Sequence, residues 1–167
     1  MSLREDLFGR PVATAQVPIV LDRAAHDVAA RRVEEAARAL AAEQARGSFD
    51  LDAERAELAE AEAALAAVPV RVVPLRALPP EAWEELIESH PPSEEQRAKG
   101  AIWDPKTFRY ALLAASVDTP DGEQPLSEGE WRQLAAARHV TDGELNELFD
   151  AAISLNGRAP RVSTGKG

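Results

Sequence analysis

The side chains able to move protons or hold a metal are few and scattered. Three histidines, His26, His90 and His139, stand far apart in the chain. No HExxH or HxH spacing joins any two of them, so the close pairing that seats zinc on a helix is missing. His26, with Asp27 and Glu34, reads as part of a solvated helix face. His90 and His139 fall where helices end and a cation is favoured. The carboxylate pairs Glu34-Glu35, Glu84-Glu85 and Glu94-Glu95 have the residue types of a glycosidase acid and base, but their places on polar helix faces or in loops favour solvated surface. Asp118-Thr119-Pro120-Asp121-Gly122-Glu123 lacks the alternating ligands and closing glutamate of a calcium loop, which leaves a turn-rich connection. Gly165-Lys166-Gly167 has no upstream glycine, no following Ser or Thr and no helix after it, so it is no phosphate cradle. Ser116 and Ser154 lie inside predicted helices without nucleophile-elbow spacing. No catalytic residue, cofactor site or metal ligand is assigned, and the chain is expected not to be an enzyme.

Apolar surface is the remaining resource. Trp83, Trp103 and Trp131 read first as core, because tryptophan is usually mostly buried. Trp103 is the best placed to stay exposed as an anchor for a partner helix, since it follows a glycine-containing loop and precedes Asp104-Pro105. The residues expected to bind a partner are Trp103, Phe108, Leu112, Trp131, Leu145, Leu148 and Phe149. A groove lined by Leu112, Trp131, Leu145, Leu148 and Phe149 is one site; the seam of a helical pair at 22–68 is the alternative.

These side chains depend on elements that start sharply. Ser127 with Glu130, and Thr141 with Glu144, each spell a capping box. Pro80 suits a first helical turn, where its missing N–H is not needed. Asp104-Pro105 reads as an N-cap followed by proline at N1, and Asn156-Gly157 as a left-handed stop. The spacing predicts helices at 80–89, 105–117, 128–138 and 142–156, with a short turn at 93–99. Upstream, Asp22 is the expected cap of a helix at 22–46, with Gly47 as its C′ residue and Asp50 capping a second helix at 51–68. Leu21, Ala25, Ala29, Val33, Ala36 and Leu40 share one face; Leu51, Leu58, Ala61, Leu65 and Val68 keep a seven-residue register, with Glu54 the polar exception. So short a connection predicts an antiparallel αα-hairpin, coiled-coil-like in pattern.

The expected fold is mainly α, in four regions: a flexible arm at 1–20, the helical hairpin at 21–69, a small bundle of short helices at 70–157, and a flexible tail at 158–167. The bundle opens with a short strand or extended segment around 70–76. Pro74 cannot donate into a central ladder, so any strand there is an edge strand. Residues 22–68 hold 18 alanines. Alanine favours helix but buries little surface, so the hairpin must lean on the rest of the chain, a second copy or a partner.

Bulk composition excludes whole classes. The net charge is −10, split evenly between residues 1–69 and 70–167, with no basic cluster to displace counterions from a nucleic acid. The helices at 128–138 and 142–156 could be mistaken for a helix-turn-helix, but the second carries Glu144, Glu147 and Asp150 and no basic residue. Cysteine is absent, which excludes disulfides and thiolate chemistry and fits a cytosolic protein. Residues 1–22 contain no apolar run long enough for a signal peptide or a membrane span.

Three blocks in order carry a family resemblance. Residues 78–92 (Leu78-Pro79-Pro80-Glu81-Ala82-Trp83 through His90-Pro91-Pro92), Trp103-Asp104-Pro105-Lys106-Thr107-Phe108 running into Ala111-Leu112-Leu113-Ala114-Ala115-Ser116, and Leu126-Ser127-Glu128-Gly129-Glu130-Trp131 through Asn156 are similar to segments of tail assembly chaperones of tailed phages of actinobacteria. An Ala/Glu-rich helical segment ahead of a Val-rich stretch agrees too, and the resemblance covers residues 17–157. It implies a non-structural protein that binds and solubilises the tape measure protein in the host bacterial cytoplasm, helps recruit tail tube protein, and is absent from the mature virion. It also implies a frameshifted longer form as a further partner, and a homo-oligomer is open. Neither cofactor, nucleic acid nor membrane is expected. The alternative is a structural tail or head component of a phage or phage-like particle.

Overall fold

Local hydrogen bonds set most element boundaries in the computed structural model, which describes residues 2–157. The expected tail at 158–167 lies outside them. The order is α1 (Leu3–Phe8), β1 (Thr14–Val20), α2 (Arg23–Ala45), α3 (Asp52–Ala66), β2 (Val70–Arg76), α4 (Pro80–Ser89), α5 (Glu94–Ala98), α6 (Phe108–Ser116), α7 (Glu128–Ala136) and α8 (Asp142–Gly157). Helix dominates, and β1 and β2 form a two-stranded antiparallel sheet.

That sheet takes up the last residues of the partly extended, flexible arm expected at 1–20: Thr14–Val20 are an ordered strand. The Leu21 N–H donates to the Pro69 carbonyl, and the Ala77 N–H to the Ala13 carbonyl. This register sets Val17 opposite Val73, Pro18 opposite Val72 and Val20 opposite Val70. In an antiparallel pair, alternate residues aim their N–H groups outward. Pro18 and Pro74 both occupy outward positions, so neither removes a ladder bond. β2 is held further at its outer edge, where Leu75 bridges Val117 and the Pro74 carbonyl accepts the Asp118 N–H.

The chain divides into two compact units. One is Pro18–Val72; the other is Val73 onward together with the residues up to Val17. In the first, α2 and α3 pack on each other. The Asp22 carboxylate accepts the Ala25 N–H at 2.9 Å, as a cap should. Gly47, at φ 75°, ends α2 with the paired bonds of a Schellman motif, Gly47 to Gln44 and Ser48 to Glu43. Asp50 accepts the Asp52 N–H, but the cap position of α3 is Leu51. The covered positions of α2 include His26, Ala29, Val33, Ala36, Leu40 and Glu43, with Arg23, Ala30 and Arg32 half-buried beside them; along α3 they are Leu51, Glu54, Leu58, Ala61, Leu65 and then Val68. Both series alternate steps of three and four. Leu21 and Ala25, expected on this face, are exposed: Leu21 belongs to the strand end, before the helix begins.

In the second unit α6 is the central helix, packed against α4, α7 and α8. Phe108, Ala111, Leu112, Leu113 and Ser116 are all buried on it. Both expected capping boxes form: Ser127 and Glu130 bond reciprocally, as do Thr141 and Glu144. A third box, Ser93 with Gln96, starts α5 where only a turn was expected. Regular α6 begins at Phe108 rather than 105. Asp104 opens a hydrogen-bonded turn over 105–107 instead, accepting the Lys106 N–H. Asn156 does not end α8 in a left-handed stop. It stays helical, and its side-chain oxygen accepts the Leu78 N–H at 2.6 Å. In this stretch a left-handed terminus ends α7 instead, where Arg138 at φ 58° is followed by a His139 to Leu134 bond.

Two stability changes follow from these details. Ser127→Ala should cost about 1 kcal/mol by urea titration, because the Glu130 N–H loses its cap acceptor. The Ser116 hydroxyl is fully buried and finds no hydrogen-bond partner among the described residues. An unsatisfied buried hydroxyl costs about 1–3 kcal/mol, so Ser116→Ala should raise the urea midpoint.

Candidate functional site

Side-chain packing closes the groove expected from helical periodicity. Phe108, Leu112, Leu145 and Leu148 are 0–1% exposed and Trp131 is 3% exposed. These five are the interior of the second unit, because α6 is covered by α7 and α8 on the faces that carry them. They line no open surface. The alternative site, the seam of α2 and α3, is filled by Ala29, Ala36 and Ala61, all buried. Of the seven expected residues, Trp103 and Phe149 remain half-buried.

Trp103 and Phe149 both reach the buried Phe108. The Trp103 ring stacks on Phe108 at 4.5 Å between centroids, and Phe149 meets Phe108 edge-on at 6.3 Å. Trp83, from α4, sits edge-on to Phe108 at 5.7 Å and to Trp103 at 6.2 Å. His90 adds a fourth edge at 6.2 Å. Edge-to-face and offset arrangements suit the ring quadrupole, so the cluster is stabilised beyond its area alone. The sequence named Trp103 and Phe108 but left out Trp83 as their neighbour. Proline at N1 and the inward phase of α4 bring Trp83 there, and a helical phase does not specify which loop it will meet.

A polar chain holds the loop that carries Trp103. The Asp104 N–H donates to the His90 carbonyl at 2.8 Å, and the Ala101 N–H to the Gln96 carbonyl at 3.0 Å. The Asp104 carboxylate accepts from the Gln96 amide, the Lys106 N–H and the Thr107 hydroxyl. Thr107 spends its one hydroxyl proton on Asp104, so the 3.1 Å contact to His90 Nδ1 requires that Nδ1 carry the hydrogen. Between the bonded residues 101 and 104, Ile102 stands 62% exposed beside the half-buried Trp103.

The Lys106 N–H, then the Gln96 amide, hold the Asp104 carboxyl below the usual aspartate range. A depressed folded pKa gives stability that is complete above the unfolded value, about 3.9, and is lost as pH falls through the folded pKa. Asp104→Asn should therefore melt below the parent at pH 7, and the gap should close toward pH 2. A gap that stays constant with pH would show that the carboxylate's charge plays no part.

The outer face of α4 has a different character. Glu81, Glu84, Glu85 and Glu88 are all exposed, and none makes an ion pair with a Lys or Arg among the described residues. Glu81 with Glu85 and Glu84 with Glu88 are like charges four apart, which repel. Glu88 also lies in the last turn, where the helix dipole disfavours an anion, and no basic residue accompanies it.

Elsewhere the chemistry stays dispersed. His26 lies 3.6 Å from Asp27 on α2, and His139 follows α7. Among the described residues no three His, Asp or Glu side chains converge in a way that could hold a metal ion. An open cleft of about 410 Å³ lies along Arg76 and the 117–125 loop, with Arg76 3.6 Å from Asp118. None of the described helices is long and apolar enough to cross a membrane. No family model, no curated protein and no solved structure matches the chain.

Proposed function

We propose that this chain is a tail assembly chaperone, which binds and solubilises the tape measure protein during phage tail morphogenesis and helps recruit tail tube subunits. The observation that carries the reading is the imbalance within Pro18–Val72. Its buried residues are Ala29, Ala36, Ala61 and Val68, while Leu21, Val28, Phe49, Val70 and Val72 are exposed. At about 25 cal/mol per Å² of apolar surface, a seam whose fully buried side chains are three alanines and a valine, with Val33, Leu40, Leu51, Leu58 and Leu65 only half-buried around them, holds a helical pair weakly. Large side chains left in water there are available to a client. In this reading α2 and α3 form a coiled-coil-like antiparallel hairpin whose shallow seam can exchange partners with a client helix. The ordered blocks at 78–92, 103–116 and 126–156 support the same family. The protein acts in the host cytoplasm and is left out of the finished particle.

Co-expression with the tape measure protein, followed by pull-down, tests this. A soluble complex is expected, and purified particles should lack the chain by mass spectrometry. A tape measure protein that stays insoluble, or the chain present in particles in stoichiometric amount, would refute the proposal.

A further inference from the structure

We propose that the patch formed by Trp83, Ile102 and Trp103, with the exposed Glu84 next to Trp83 on α4, docks a cationic amphipathic helix. Three features of the second unit converge on that occupant. The first is apolar surface held in place. Ile102 is 62% exposed, yet the backbone on either side is fixed by the Ala101 to Gln96 and Asp104 to His90 bonds. Trp103 is stacked on Phe108 and braced by Trp83, so both indoles are ordered while half-open to solvent. An anchor already ordered loses little entropy on binding. Tryptophan is also the side chain most enriched where binding energy concentrates.

The second feature is uncompensated charge of one sign. The fold itself gains nothing from Glu84, Glu85 and Glu88: they repel along α4, and Glu88 opposes the dipole. A partner bearing Lys or Arg beside its apolar stripe reaches Glu84, and so eases the repulsion along α4, as it covers the indoles. The third is the chain's net charge of −10, which disfavours a second copy as occupant and favours a basic one. This site is argued from the chain's own residues and adds to the client reading a surface and a partner chemistry.

Two synthetic 18-residue helices serve as probes, with identical leucine faces and either lysine or glutamate on the polar face. Emission from Trp83 and Trp103 reports binding, since Trp131 is already buried and should not respond. The lysine helix should bind, with affinity falling as salt rises, and the glutamate helix should bind at least tenfold more weakly. Ile102→Asp should weaken the lysine helix about tenfold. Reversing Glu84, Glu85 and Glu88 to lysine should invert the preference between the probes while leaving the melting temperature unchanged or higher. Reversing Asp50, Asp52 and Glu62, in the other unit, should preserve the preference. Equal binding of both probes, no effect of Ile102→Asp, or an equal effect of the remote reversal would overturn the proposal. So would a concentration-dependent emission change in the chain alone, which would make a second copy the occupant. The probes involve no phage protein, so these outcomes are separable from failure of the tape measure experiment.

Discussion

Phe108→Ala should remove about 3–5 kcal/mol from the second unit, the range for emptying a buried aromatic site. Small domains total only about 5–15 kcal/mol, so the variant should stand near the edge of unfolding. The expected size follows from position. Phe108 is 0% exposed, opens the central helix, and is touched by Trp83 and His90 from α4 and its C-cap, Trp103 from the preceding loop and Phe149 from α8. Removing the ring leaves four neighbours facing a cavity that no single rotamer change can fill. Urea unfolding followed by tryptophan emission measures it. Phe108→Leu should recover much of the loss, because a leucine refills most of the volume. A loss near 1 kcal/mol for the alanine variant would mean that the cluster collapses inward and is not the organising centre described above.

How much of this architecture could be read from the chain depends on the range of the interaction. Caps are local, so Asp22, Ser127 with Glu130, and Thr141 with Glu144 appear where their spacing placed them. Gly47 likewise takes the left-handed conformation that its position after α2 required. β1 was illegible for the opposite reason. Its partner β2 lies some fifty residues away, and only the register between them puts Pro18 at an outward position. The start of α6 was misjudged because Asp104 has two uses for its carboxylate: it caps a turn and also takes up Gln96 from α5. The partner site was misread on a further ground. Helical spacing shows that Leu145, Leu148 and Ala152 share a face, but it cannot show whether another helix already covers that face.

Leu148→Asp and Phe149→Asp, adjacent on α8, should therefore behave very differently. Leu148 is fully buried, and a carboxylate there would have neither water nor a cationic partner among the described residues. Buried unpaired charge belongs to the small class of substitutions that cost more than about 4 kcal/mol. Leu148→Asp should leave the second unit unfolded at neutral pH, with partial rescue as acid protonates the aspartate. Phe149 is half-buried and meets Phe108 only edge-on, so its aspartate can turn to solvent. Phe149→Asp should cost roughly 1–3 kcal/mol and remain folded. The two outcomes separate a core from a groove by a measurement that needs no client. If both variants kept the parent's melting temperature, α8 would be an open binding face after all. If only Leu148→Asp collapses, loss of client solubility in that variant reports unfolding, and the search for contact residues moves to side chains that water already reaches: Ile102 and Trp103 in one unit, Leu21, Val70 and Val72 in the other.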